Sequence, residues 1–273
     1  MTDASGIDWT DAFENAAHIP DGPAWPARLA AEAAAARDRL AAQAFQTLRY
    51  GDDPRQTLDL IAPAGASRGL AVFVHGGYWK AFDPSAWTHL ALGARAAGWT
   101  VALPGYRLAP AARIADITRD VAAAVARAAQ LVPGGVRLAG HSAGGQLAAR
   151  LASDPGLLPP AVHARIAAVL SISGLHDLRP LTLAAMNAIL RLDAAEAVSE
   201  SPALAPPPPV PVTAWVGGDE RPEFLRQSAL LVERWREAGG QARLVVQPDL
   251  HHMNVVAGLT APDSPITRAW LGG

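Results

Sequence analysis

Six apolar runs of strand length constrain this sequence more than any other feature. They are Gly69–Val74, Thr100–Leu103, Val136–Ala139, Ile166–Ile172, Val212–Val216 and Ala242–Val246. Each is continuous rather than alternating, as expected for strands covered on both faces. Helical segments at about 85–97, 115–131, 144–153 and 222–238 lie among them. Strands alternating with helices of this length predict a mostly parallel, doubly wound α/β sheet. Upstream, Thr47–Tyr50 and Gln56–Ile61 flank Gly51-Asp52-Asp53-Pro54 and predict an antiparallel hairpin at the sheet edge. The Ala-rich residues 24–44 predict a helix on the surface, ahead of the core fold.

Two stretches interrupt the rhythm. Residues 178–205 contain a helix-like Leu181–Leu190 between two sheet strands, and Pro206 to Pro209 then form a rigid extended connector. An insertion above the carboxyl ends of a parallel sheet is expected to act as a lid or pocket wall. No internal repeat or second domain boundary is visible, so residues 1–273 are expected to form one domain. Residues 1–44 form its N-terminal helical segment and residues 178–205 its lid.

Composition narrows the function classes. A formal charge of -2 gives no basic footprint for nucleic acid or an anionic membrane. The sequence has no cysteine, which excludes disulfides, thiolate metal sites and a Cys nucleophile. Met1–Thr10 lacks the basic and apolar regions of a signal peptide, and no apolar run approaches the roughly 20 residues of a membrane span. The expectation is a soluble cytoplasmic protein with a small-molecule substrate and neither nucleic acid nor membrane as partner. A homodimer is left open.

The chemistry centres on Gly140-His141-Ser142-Ala143-Gly144-Gly145, directly after an expected strand and before an expected helix. Gly-x-Ser-x-Gly in that context reads as a sharp turn that lifts the Ser142 hydroxyl clear of the sheet. A serine hydroxyl needs a base, and the base needs a group to orient it. Asp219 and Glu220 follow one strand, and His251 and His252 follow the next. The order Ser, acid, His and the placement at strand carboxyl ends agree with a hydrolase triad. His75-Gly76-Gly77-Tyr78-Trp79 follows another strand. There Gly76 and Gly77, with the Ala143 amide, are expected to form an oxyanion hole. His75 is expected to tether this loop, Tyr78 and Trp79 to wall a pocket for a flat group, and His176 to contact substrate. His141 is expected to pack within the elbow, and His18, His89 and His163 to lie at the surface. Asp177 is expected to cap a helix. No metal and no cofactor are called for.

These residues resemble the α/β-hydrolase fold, and within it the kynurenine formamidase (arylformamidase) group. The resemblance rests on His75–Trp79, Gly140–Gly145 and Pro222-Glu-Phe-Leu-Arg-Gln-Ser228. Tyr50-Gly51, Pro54–Leu60, Tyr106–Pro110 and Asp177–Leu181 extend it over about residues 45–260. It implies a metal-independent Ser-acid-His mechanism that cleaves a formyl amide from an aromatic amine such as N-formylkynurenine. It also implies that His252 is the base, with Met253 replacing the family's usual Phe. The family's acid maps to Glu220, whereas simple esterase patterns point to Asp219. The alternative activities are a carboxylesterase and, from a different class, a non-catalytic ligand-binding protein on the same scaffold.

Overall fold

The six apolar runs and the hairpin form one eight-stranded sheet in a computed structural model that describes residues 6–272. The first five residues of the Met1–Thr10 stretch lie outside the described residues, as does Gly273. The strands are β1 Phe45–Arg49, β2 Thr57–Ile61, β3 Gly69–Val74, β4 Thr100–Pro104, β5 Gly135–His141, β6 Ile166–Ile172, β7 Val212–Gly217 and β8 Ala242–Gln247. Their order across the sheet is β1-β2-β4-β3-β5-β6-β7-β8. Only β2 runs against its neighbours. It pairs antiparallel with β1 and with β4, and every other pairing is parallel.

The continuous apolar runs exist because both faces are covered. In β3, Leu70, Val72 and Val74 join one core, and Ala71 and Phe73 the other. The first core packs under the helices Ile114–Leu131, Ala143–Ser153 and Pro222–Glu237, through Val121, Leu147 and Phe224 among others. The second packs under Leu92–Ala96 and Pro265–Leu271, where Trp87, Leu259 and Trp270 sit. Each fully buried Leu, Val or Phe side chain contributes about 1.5–3 kcal/mol of transfer free energy. Successive side chains of one strand therefore anchor opposite layers. Among the described residues no helix is long and apolar enough to cross a membrane.

Several local expectations are corrected. The helix expected at 85–97 splits into the turns Pro84–Ala86 and Thr88–Ala91 and a helix Leu92–Ala96. Trp87 leaves helical geometry between them and buries its indole near Phe73 and His141. His89 is no surface residue: it is only 5% exposed, because its turn packs against the helix Trp25–Arg39. Burial lowers its pKa to about 4. The helix Trp25–Arg39 in turn buries Leu29, Ala33 and Ala36. Residues 178–205 do not hold the long helix expected at 181–190. They form Arg179–Leu183, Asn187–Leu190, Ala194–Ser199 and Pro202–Leu204, with an extended break at Ala184. Asp177 caps no helix. Its carboxylate instead pairs with Arg179 at 2.8 Å and takes the Arg179 amide.

Candidate active site

Ser142 stands at the turn between β5 and the helix Ala143–Ser153 with φ 56° and ψ −120°. A non-glycine residue at positive φ is strained, and the surroundings must enforce it. The flanking glycines do that by close approach rather than by unusual dihedrals. A Cβ on Gly140 would lie 2.0 Å from the Gly144 carbonyl oxygen, and one on Gly144 would lie 2.0 Å from that of Val74. Neither glycine has a positive φ. The motif therefore lets the helix start press directly onto β3, and the serine carries the strain.

The loops after β7 and β8 bring a carboxylate and an imidazole together beside it. Glu220 Oε2 lies 2.6 Å from His252 Nδ1, and both side chains are buried. A carboxylate can only accept, so Nδ1 carries the proton and Nε2 is left with its lone pair. The other carboxylate oxygen is held twice. The Gly217 amide donates to Glu220 Oε1 at 2.8 Å and the Ser173 hydroxyl at 2.5 Å. Asp219, the rival acid, is exposed, and its amide donates to the Leu250 carbonyl. His251 sits edge-on to Trp25 and accepts from the Met253 amide, away from this pair. Phe224, from the Pro-Glu-Phe stretch, packs its ring 4.4 Å from that of His252. His141 lies on the opposite side: its Nε2–H donates to the His252 carbonyl at 2.8 Å. Burial holds the His141 pKa well below the ordinary histidine value, which keeps the ring a neutral strut.

The loop after β3 closes the site from the other side. Gly77 has φ +112°, and a Cβ there would meet the Ala81 carbonyl oxygen at 2.4 Å, so only glycine fits. A Cβ on Gly76 would come 3.1 Å from Ser142 Cβ, which places that backbone against the elbow. Among the described residues, the Gly76, Gly77 and Ala143 amides donate to no other loop backbone group. His75 stacks on Tyr106 at 4.2 Å, and its Nδ1 meets the Gly76 carbonyl at 2.7 Å. Burial lowers its pKa to about 4. It tethers the loop.

A cavity of about 230 Å³ opens over Ser142 and His252. Of the residues expected at its wall, Tyr78 is there, but Trp79 and His176 are not. Trp79 is fully buried, and its indole N–H donates to Gln146 Oε1 at 3.1 Å, which ties the loop to the elbow helix. His176 is also fully buried, with Nε2 3.2 Å from Ser171 Oγ, because the chain after β6 turns sharply at Ser173 (φ 51°) and folds it under the sheet end. Burial lowers its pKa to about 3. The wall expected from residues 178–205 consists of Met186 alone. A larger share comes from an N-terminal segment whose sequence carries no sign of the site: Phe13, Glu14, Asn15, Ala16, Ile19 and Gly22. Tyr78 Oη donates to the Phe13 carbonyl at 2.5 Å and helps hold that segment in place. Ser173, which holds the Glu220 carboxylate, has no motif in the sequence to mark it. Its only signal was a small polar residue before glycine at a strand end.

A model of the α/β-hydrolase fold matches residues 71–255, more than half of the chain. The kynurenine formamidase of Danio rerio is 25% identical over 86% of this chain and 83% of its own. That of Drosophila melanogaster is 26% identical over 81% and 78%. The crystal structure of a proposed thioesterase from Silicibacter sp. TM1040 is 45% identical, with TM-score 0.93, over 97% of this chain and all of that one. Esterase B from Lactobacillus rhamnosis shares the fold at 20% identity and TM-score 0.67, over 88% of this chain and 87% of that one. An eight-stranded sheet with one reversed strand, a strained serine where a strand meets a helix, and a family match across both make this chain a member of the α/β-hydrolase family.

Proposed function

We propose that this hydrolase cleaves a formyl amide from an aromatic amine, with Ser142 as nucleophile, His252 as base and Glu220 as the acid that orients it. The observation that carries the reading is the Glu220–His252 hydrogen bond of 2.6 Å behind a cavity that Ser142 shares. Ser142 Oγ attacks the formyl carbon while His252 Nε2 takes its proton. The amides of Gly76, Gly77 and Ala143 receive the developing oxyanion, each worth about 3 kcal/mol of barrier. Collapse breaks the C–N bond, and His252 returns the proton to the departing amine. Water then hydrolyses the formyl-serine by the same route in reverse. No hydrogen bond joins Ser142 to His252 among the described residues. Such contacts commonly tighten only in the substrate complex.

The apolar wall of Phe13, Ile19, Phe82, Trp87, Met186 and Met253 suits an aromatic body. The likeness to kynurenine formamidases supports a formyl amide as the substrate. The likeness to a proposed thioesterase supports a second reading, hydrolysis of an aryl thioester by the same residues. Turnover of N-formylkynurenine, phenyl acetate and phenyl thioacetate by the purified protein separates the readings. The expected kcat/KM is highest for the formyl amide, and a clear preference for either ester overturns that choice. Ser142→Ala is expected to lose at least about a thousandfold in kcat on every substrate. Undiminished turnover by that variant would overturn the mechanism.

A further inference from the structure

The Lys and Arg residues number 23, and a single one of them, Lys80, is a lysine. It lines the same cavity as Ser142 and His252. The neighbouring arginines are engaged in holding structure. Arg55 donates to the Tyr106 and Phe82 carbonyls, Arg37 to the Ser85 carbonyl, and Arg221 to Asp11. Lys80 is exposed into the cavity mouth and, among the described residues, has no carboxylate at ion-pair distance. Glu14 faces the same cavity, but its Oε1 takes the Ala16 amide at 2.9 Å.

Its backbone is fixed relative to the reaction centre. The Lys80 and Ala81 amides both donate to the Gly77 carbonyl at 3.0 Å, so the ammonium stem leaves from the turn that presents the Gly77 amide. The rest of the wall is mostly apolar. An unpaired ammonium at the rim of an apolar slot is matched by a flat ligand with an anionic edge. A lysine suits that role, because its compact charge on a flexible stem can meet a carboxylate from several angles, where a guanidinium demands one plane.

We propose that Lys80 is a specificity-determining residue that binds a carboxylate on the aromatic portion of the substrate. The inference rests on the reading of this cavity as the substrate site. It sets the substrate class as carboxylated aryl amides or esters rather than neutral ones. Lys80 takes no part in bond making, so its effect lies in binding the anion in both ground and transition states.

The test compares matched pairs: phenyl acetate against its 2-, 3- and 4-carboxy derivatives, and formanilide against its carboxy derivatives. Each is measured as kcat/KM, normalised to sites titrated with a fluorophosphonate. In Lys80→Gln the ratio of carboxylated to neutral substrate is expected to fall about tenfold for the best-fitting isomer, mainly through KM. Lys80→Arg should restore part of that ratio, and Lys80→Glu should lower it further. Salt should erode it in the wild type and not in Lys80→Gln. Calorimetric binding of benzoate against benzamide makes the same comparison without turnover. Ratios and benzoate affinity unmoved in Lys80→Gln would overturn the proposal. The ester pair keeps it separate from the formamidase reading. A charge preference on esters with no formanilide cleavage sinks the formamidase reading alone. Formanilide cleavage with no charge preference sinks the Lys80 proposal alone.

Discussion

The two sides of the candidate site are built differently. On one side, Glu220 and His252 are buried under the sheet end, with both carboxylate oxygens and the imidazole Nδ1 engaged. On the other, the cavity wall is assembled from residues 13–26, Tyr78, Lys80, Phe82, Trp87, Met186 and Met253, with few directed polar contacts. The first side over-determines one geometry. The second sets shape and charge loosely. Changes on the first side should therefore reach kcat, and changes on the second should reach KM.

The sharpest break of this contrast is at the adjacent carboxylates. Glu220→Gln leaves His252 without an anionic partner and is expected to cost on the order of a hundred- to ten-thousandfold in kcat. Asp219→Asn, at an exposed position with no side-chain partner among the described residues, is expected to stay within about threefold. Steady-state kinetics of the two single variants checks this. Equal losses would mean that neither carboxylate orients His252.

The same contrast decides what the sequence made legible. Both layers of the sheet were readable from continuous apolar runs, because burial on two faces is a property each strand carries locally. The elbow, Glu220 and His252 were readable because each sits directly after a strand and the sheet aligns those ends. The cavity wall was not readable. Phe13 and Ser142 are brought together only by tertiary packing, and no periodicity in residues 8–22 marks them as facing a site. Aromatic identity also misled. Trp79 and Tyr78 are neighbours, yet positive φ values of 54° and 48° send Trp79 inward to Gln146 while Tyr78 lines the cavity. His176 misled for a similar reason, since the turn at Ser173 could not be seen from composition.

Acid should weaken the whole fold that carries both sides. His75, His89, His141 and His176 are buried as neutral rings, with pKa values of about 4, about 4, well below the ordinary value, and about 3 respectively. The unfolded chain protonates its histidines below about pH 6.5, while the folded chain resists until the depressed value. Between those points the unfolded state binds more protons, so stability rises with pH and is lost as pH falls from 6.5 towards 4. Each such histidine is expected to remove up to about 1.4 kcal/mol per pH unit in that window. Urea midpoints at pH 7 and pH 5 measure it. An unchanged midpoint would show that these rings are not buried and neutral.

A smaller effect tests whether the carboxylate's other oxygen matters. Ser173→Ala removes the hydroxyl that donates to Glu220 Oε1 but leaves the Gly217 amide in place. The expected loss is about tenfold in kcat with little change in KM, from a hydrogen bond to a charged group worth about 1.5–3 kcal/mol. The alkaline side of the kcat profile should hold its shape, because Ser173 positions the acid and does not titrate. A loss confined to KM would move Ser173 to the binding wall.

The smallest effects belong to the N-terminal segment. Phe13 is fully buried, and Asp11 is an exposed anion paired with Arg221, the residue next to Glu220. Phe13→Ala should raise KM about fivefold by loosening the wall over Ser142, the equivalent of losing about 1 kcal/mol of apolar contact. Asp11→Asn should raise it by no more than about threefold, because exposed ion pairs are weak and screened by salt. In high salt the wild type should therefore approach the Asp11→Asn value while Phe13→Ala stays distinct. If Asp11→Asn instead lowers kcat as strongly as Ser173→Ala, then the Asp11–Arg221 pair acts on the neighbouring Glu220, and the two sides of the site are one mechanical unit.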